Sequence, residues 1–283
     1  MSQPTLTMGV KKLEEEMGVK LFDRSKKPLN TTAAGQGIVA QARHILRGVN
    51  NLKAYVSDDY NNLTGEFRLA VIPTLAPYFI PKWLPVIAET LPNVQLDIRE
   101  MTTSEIVHAF VREEIDLALL STPLVEKGLR EIPLFHEPFH LFSSEVKTAD
   151  IVPQVKAGEL NAAGLILLEE GHCFRDQMLS LCGNRPPKKS EPFRYLSGSI
   201  ESIKNLIKQG RGSTLVPELA INSQDDATYV APFRDPIPSR EISLVCHETF
   251  TQEMLLKQLE KSAKSVIPEH FEKQSPRFRV EWK

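Results

Sequence analysis

The sequence has few cysteines, no long apolar run and little net charge, and each absence narrows the class of protein. Three cysteines among 283 residues are too few for a disulfide framework, and the odd number leaves at least one unpaired. No stretch approaches the roughly 18 apolar residues of a membrane helix, and the N-terminus has no basic segment followed by an apolar one. We therefore expect a cytoplasmic protein with no membrane association.

The formal net charge of −2 hides an uneven distribution. Residues 1–60 hold nine Lys and Arg against six Asp and Glu, which leaves −5 for the rest of the chain by subtraction. That basic surplus is too small to indicate nucleic-acid binding by itself. Whether the chain binds nucleic acid must therefore be judged from its sequence motifs.

The N-terminal pattern is typical of a helix, a basic turn and a long second helix. Apolar residues at helical spacing before Gly18 predict a helix over 3–17, and short strands are predicted at 19–22 and 29–31. In the second helix, apolar residues alternate at spacings of four and three: Ile38, Ala42, Ile45, Val49, Leu52 and Val56. This heptad seam predicts a dimer, although a helix packed against its own core would give the same pattern.

The remaining sequence alternates strand and helix patterns and predicts an α/β fold. We expect a parallel sheet with helices on both faces, two lobes, and a ligand-binding cleft between them. The tail, residues 272–283, is expected to be loosely held. The predicted strands are 67–72, 94–99, 115–120, 165–168, 214–216 and 242–245, and the predicted helices are 77–89, 104–113, 200–208 and 252–265.

The segment from Cys173 to Cys182 carries the most informative chemistry. Cys173 is predicted at a helix N-terminus, where backbone N–H groups, His172 and Arg175 would lower its thiol pKa. If the segment is helical, the two Cα atoms lie about 13 Å apart, beyond the roughly 7 Å limit for a disulfide. A disulfide would therefore melt the helix, as in a switch. Two cysteines in one helix are nevertheless more often buried side chains that pack like apolar residues. We interpret Cys246, which lies in an apolar strand, in that way.

Residues 136–140 match a zinc-binding motif but do not predict a zinc site. His136-Glu137-Pro138-Phe139-His140 matches the HExxH pattern of zinc proteases, which works only on a helix. Pro138 would break that helix, and the neighbouring residues continue an alternating pattern. We predict an extended segment and no metal site.

The motifs together resemble one family. Gly171-His172-Cys173, Arg175-Asp176-Gln177 and a second cysteine nine residues on resemble the signature of the peroxide-sensing branch of the LysR-type transcription regulators. Residues 2–6, 12–14, 18–24 and 32–35 resemble the recognition helix and wing of the DNA-binding domain of that family, and the similarity extends to about residue 270.

The resemblance implies the architecture. It is a two-lobed sensing domain of the periplasmic-binding-protein type, preceded by a partial winged helix-turn-helix and a linker helix. Four divisions of the chain follow: the partial winged helix-turn-helix at 1–35, the dimerisation linker at 36–60, lobe I at 61–136 and 240–283, and lobe II at 137–239.

The resemblance also implies the site residues. Cys173 would be the peroxidatic thiol and Cys182 its resolving partner. Thr74 and Thr103, or Thr102 in place of Thr103, would surround the peroxide with hydroxyls. His172 and Asp176 would flank the thiol, and Arg240 would supply a cation. The implied DNA contacts are Ser2, Gln3, Pro4, Thr5, Thr7, Lys11 and Arg24.

The resemblance places Met1 at the start of the recognition helix of the family, so we expect weak DNA binding unless the preceding helices are supplied. We expect a regulator and not an enzyme, with no cofactor, with promoter DNA and further copies of itself (a dimer or tetramer) as partners, and with hydrogen peroxide as signal. Two other functions stay open. One is a thiol peroxidase, and the other is a LysR-type regulator that binds a small organic effector in the cleft.

Overall fold

The computed structural model describes residues 2–25, 28–57, 63–124, 126–146, 154–158, 160, 165–182, 195, 197–210, 212–273 and 278–280. Its helices are α1 (Gln3–Met17), α2 (Ala33–Ser57), α3 (Ala76–Thr90), α4 (Thr103–Val111), α5 (Cys173–Leu181), α6 (Ile200–Lys208), α7 (Glu253–Lys264) and α8 (His270–Lys273). Its strands are β1 (Phe22–Asp23), β2 (Asn30–Thr31), β3 (Gly65–Val71), β4 (Val94–Glu100), β5 (Leu117–Thr122), β6 (Leu129–Ser143), β7 (Ser213–Pro217), β8 (Val230–Pro232), β9 (Pro238–His247) and β10 (Phe278–Arg279).

The N-terminal segment is a helix, a two-stranded hairpin and a long helix. Helix α1 confirms the predicted span 3–17 and ends at Gly18, whose φ of 68° is the left-handed conformation that glycine adopts at low cost. Strands β1 and β2 pair antiparallel and are shorter than predicted. Helix α2 runs for 25 residues. On its predicted seam Ile45 is 65% and Val49 44% exposed, and the side chains of Leu52 and Val56 lie outside the described residues.

The remaining strands form one sheet in the order β4-β3-β5-β9-β6-β7, with β10 on β9 and β8 on β6. The prediction of a parallel sheet was wrong in part, because only β3, β4 and β5 pair parallel among these six strands. Strand β9 runs antiparallel to both of its neighbours β5 and β6. The strand predicted at 165–168 was also wrong, since Leu165 forms only an isolated bridge to Ser213.

Two separate hydrophobic cores underlie the lobes. The first packs β3, β5 and the middle of β9 against α3, α4 and α7, and the second packs the end of β6 and β7 against α5 and α6. Strand β6 serves both, because it pairs with β9 up to Pro138 and with β7 from Phe139 onward. The first core draws on residues between 67 and 135 and between 242 and 271, together with Cys173, and the second on residues between 139 and 233, together with Val280. The division into lobe I (61–136 and 240–283) and lobe II (137–239) stays a prediction. None of the described helices has the length and apolar character needed to cross a membrane.

The expectation of a loosely held tail was wrong for the residues described there. Strand β10 pairs parallel with the first two residues of β9, and Val280 is only 2% exposed. Its amide donates to the Ser239 carbonyl (2.9 Å). The pattern of the tail gave no signal for this pairing, because a two-residue strand is too short for a periodicity to appear.

Candidate functional site

Helix α5 begins at Cys173, as predicted. Gly171 precedes it with a φ of 93°, and a Cβ at that position would lie 3.2 Å from Ser104 Oγ and 3.7 Å from Thr102 Oγ1. A side chain at position 171 would therefore be strained and crowded. The glycine lets the start of α5, in lobe II, approach the start of α4, in lobe I.

The Cys173 side chain reaches across to the core of lobe I and is 3% exposed. The prediction of a lowered thiol pKa was wrong: burial raises the pKa of Cys173 more than the neighbouring groups lower it. The lowering groups are the Thr103 hydroxyl, the charge of Arg240 and the Phe174 amide. At neutral pH the reduced protein therefore holds a protonated thiol.

Two of the predicted hydroxyls are buried in this region. Thr103 faces Cys173 and lowers its pKa, while its Oγ1 makes no hydrogen bond to an oxygen or nitrogen of the described residues. Thr74 accepts a hydrogen bond from Arg240 (2.8 Å). Thr102 instead caps α4. Of the two threonines the sequence left open, Thr103 is the one beside the thiol.

Arg240 is the buried cation at the centre of this arrangement. Its side chain is fully buried, donates to Thr74 Oγ1 and the Thr74 carbonyl (2.8 and 3.1 Å), and lies 5.5 Å from the ring of Phe174. Its Nε donates to Glu137 Oε2 (2.8 Å). The resemblance implied a cation near the thiol at Arg240, and the structure brings this residue together with Thr74 and with Phe174 of the cysteine helix.

Glu137 is a site residue that the sequence analysis did not identify. It is fully buried, binds Arg240 with one oxygen and accepts the Leu219 amide with the other (2.9 Å). Burial raises its carboxyl pKa, opposed by the charge of Arg240. Glu137 belongs to the HExxH-like motif, which lies within strand β6 and is extended as predicted. The described residues hold no cluster of His, Cys, Asp and Glu suited to a metal ion.

The other predicted neighbours of the thiol supply less charge than expected. Burial lowers the pKa of His172, so its ring is neutral at pH 7 despite Glu169 at 3.8 Å. Arg175 donates to the Leu168 carbonyl (2.9 Å) and lies 3.7 Å from Glu170, which partly cancels its charge. Asp176 is partly buried, and burial raises its carboxyl pKa. Arg240 is therefore the cation that matters most for Cys173.

Cys182 lies at the other end of α5, in the core of lobe II. All three cysteines, Cys173, Cys182 and Cys246, are free thiols, and burial raises the pKa of Cys182 to about 11. Nine helical residues correspond to a rise of about 13 Å and a rotation of about 180° relative to Cys173. The two thiols thus occupy different cores on opposite faces of one helix, which a disulfide cannot span.

The predicted cleft between the lobes is present as a cavity of about 420 Å³. Its lining includes His172, the residue before the thiol, together with Thr102 and Glu105. Tyr78 of lobe I donates a hydrogen bond across it to Glu201 of lobe II (2.9 Å). The cavity therefore leads from the surface toward the start of α5.

The predicted DNA-contacting residues all lie on the exposed surface of the N-terminal segment: Ser2, Gln3, Pro4, Thr5, Thr7, Lys11 and Arg24. Buried Glu14 joins the helix to the hairpin by accepting the amides of Leu21 and Phe22 (2.8 and 3.3 Å). These hydrogen bonds lower its carboxyl pKa. Arg24 lies 3.5 Å from Glu14, which adds an ion pair between α1 and the residue that follows β1.

Comparison with known proteins identifies the family. A profile described as the LysR substrate binding domain matches residues 61–265, and one described as bacterial regulatory helix-turn-helix protein, lysR family, matches residues 1–36. The chain therefore belongs to the LysR family of transcription regulators, as its motifs predicted.

Within that family the similarity is to the OxyR group. A hydrogen peroxide-inducible genes activator of Dickeya chrysanthemi is 31% identical over 276 residues, which cover 97% of this chain and 90% of the relative. A full-length OxyR variant from Pseudomonas aeruginosa has a TM-score of 0.79 at 31% identity, covering 94% of this chain and 90% of that one. A hydrogen peroxide-bound OxyR mutant from Corynebacterium glutamicum has a TM-score of 0.66 at 28% identity, covering 94% and 84%. These structures confirm the predicted α/β fold.

Proposed function

We propose that this LysR-family regulator is a cytoplasmic, redox-responsive DNA-binding protein that senses hydrogen peroxide by forming a disulfide between Cys173 and Cys182. The observation that carries this proposal is the placement of one buried thiol beside Thr103 and Arg240, with a second thiol nine residues away on the same helix. The relatives named as hydrogen peroxide-inducible genes activators support it.

The first step is attack of the Cys173 sulfur on one peroxide oxygen. The S–O bond forms as the O–O bond breaks, the sulfur becomes a sulfenic acid, and the departing hydroxide takes up the thiol proton to leave as water. Because the resting Cys173 thiol is protonated, the binding of peroxide must favour loss of the thiol proton. Arg240 stabilises the thiolate, and the hydroxyls of Thr74 and Thr103 are available to the peroxide oxygens.

The second step is condensation of the sulfenic acid with Cys182. The Cys182 sulfur displaces the sulfenic oxygen, which leaves as water with the thiol proton, and the S–S bond forms. Helix α5 must unwind for the sulfurs to meet, because the helical separation of about 13 Å exceeds the disulfide limit of about 7 Å. The bond thereby converts a chemical signal into a change of local fold.

DNA is the proposed target of this signal. The exposed residues Ser2, Gln3, Pro4, Thr5, Thr7, Lys11 and Arg24 lie on a helix and turn that match a bacterial regulatory helix-turn-helix profile. Recognition helices of this kind read bases with residues near their N-terminus. We propose that these residues contact promoter DNA.

Titration with hydrogen peroxide separates a sensor from a thiol peroxidase. Without reductant, we expect the reduced protein to consume about one equivalent of peroxide per chain, lose two of its three thiols, and then stop, because nothing restores the thiols. The measurement is residual peroxide and free thiol after each addition, with and without dithiothreitol. Consumption of many equivalents at an undiminished rate in the presence of reductant would identify an enzyme instead.

We also propose that α2 pairs with a second copy of the chain. Ile45, Leu46 and Val49 are 65%, 62% and 44% exposed, an apolar stripe that a partner helix would cover. Replacing Ile45 and Val49 by Asp should convert a dimer or tetramer into smaller species at micromolar concentration in analytical ultracentrifugation. Val111→Asp is the control, because Val111 is 71% exposed on α4. A monomeric wild-type chain would contradict the pairing.

A further inference from the structure

Gln177 lies in the middle of α5 and is completely buried. It follows Cys173 by four residues and therefore lies on nearly the same face of the helix. Its Nε2 donates to Ser121 Oγ of β5 (3.1 Å) and to the Val280 carbonyl (2.9 Å). One amide thus connects the cysteine helix of lobe II to strand β5 of lobe I and to Val280, the residue that follows β10.

Val280 is anchored through both its backbone and its side chain. Its amide bonds to the Ser239 carbonyl (2.9 Å), its side chain packs in the core of lobe II, and its neighbour Arg279 lies 3.2 Å from Glu241. Strand β10 lies alongside Pro238 and Ser239, directly before Arg240. The bond from Gln177 is therefore a link between α5 and the strand that carries the cation of the site.

We propose that Gln177 is a positioning residue that restrains α5 against disulfide formation and transmits the unwinding of the helix to strand β10. The proposal rests on the disulfide chemistry of the proposed function. Condensation of the Cys173 sulfenic acid with Cys182 releases water and requires the residues between them to leave their helical positions. Because Gln177 lies between the cysteines, it cannot keep both of its hydrogen bonds when that happens.

The restraint acts on condensation and not on the attack on peroxide. Gln177 Nε2 bonds to Ser121 and Val280, and its Oε1 has no partner among the described residues. No charge or hydrogen bond of Gln177 shifts the pKa of Cys173, and a side chain of equal volume at position 177 preserves the burial that raises it. Removing the amide should therefore leave sulfenic acid formation unchanged while the helix opens more readily.

Gln177→Met tests this inference, because Met keeps the volume and loses only the amide. Losing both hydrogen bonds should accelerate condensation by up to about 30-fold. The measurement is dimedone trapping of the Cys173 sulfenic acid at timed intervals, which gives formation and condensation rates separately. Ser180→Met, at an exposed position of the same helix, is the control for the incoming side chain.

Hydrogen exchange of residues 278–280 tests the link to β10. Exchange should rise in reduced Gln177→Met and in oxidised wild-type protein, but not in reduced Ser180→Met. Condensation at the wild-type rate, or unchanged exchange of β10 in the reduced variant, would overturn the inference. If wild-type protein forms no Cys173–Cys182 disulfide, the proposed function and the restraint both fail, whereas exchange in the reduced variant still decides the link.

Discussion

Replacing Glu137 by Ala lowers the free energy of unfolding by about 3–5 kcal/mol, the range for breaking a buried ion pair from one side. The variant leaves the fully buried guanidinium of Arg240 without its counterion, and it removes the acceptor of the Leu219 amide. Both groups have lost their water and cannot recover it inside the core. The measurement is urea denaturation of the reduced protein, followed by circular dichroism.

Two variants control this result. Asp97→Ala breaks the exposed pair with Arg99, which has a similar N–O distance of 2.8 Å, and should cost under about 1 kcal/mol. Replacing Glu137 and Arg240 together by Leu should recover much of the loss, because no unpaired charge remains. An equal loss of unfolding free energy in Glu137→Ala and Asp97→Ala would show that the buried ion pair matters no more for stability than the exposed one.

Cys173→Ser abolishes both the sulfenic acid and the disulfide, whereas Cys182→Ser accumulates a sulfenic acid at Cys173 that dimedone can trap. The first variant lacks the attacking sulfur, and the second lacks the sulfur that displaces the sulfenic oxygen. Because burial raises the pKa of the Cys173 thiol, the rate of sulfenic acid formation in Cys182→Ser should increase as the pH rises. Cys246→Ser is the matched control and should oxidise like the wild type. Detection of a sulfenic acid in Cys173→Ser would show that Cys173 is not the thiol that attacks peroxide.

The sequence predicted the elements that local patterns determine. Helix α1, the long helix α2 and the start of α5 at Cys173 each follow from a cap, a glycine or a regular spacing of apolar residues. The assignment of Cys173 and Cys182 as partners depended on the family motif, because two helical cysteines carry no pairing information by themselves. Their roles, and those of the neighbouring residues, stay predictions.

Features that depend on distant contacts could not be predicted in this way. Glu137 and Arg240 are 103 residues apart in the sequence. The sequence pattern around either residue does not indicate that the two form an ion pair. The direction of the Cys173 pKa shift was missed because the helix N-terminus is visible in the sequence, whereas the depth of burial is set by packing against lobe I. Strand β10, and the bond from Gln177 to the next residue, Val280, likewise exist only because the tail folds back beside β9.

Mass spectrometry of wild-type protein treated with less than one equivalent of hydrogen peroxide tests the central claim most directly. Free thiols are alkylated before digestion, and each cysteine is then assigned as free, oxidised or disulfide-bonded. Our account predicts a peptide pair joined by Cys173 and Cys182, with Cys246 recovered as a free thiol. Recovery of Cys173 unmodified, with Cys246 oxidised first, would contradict it.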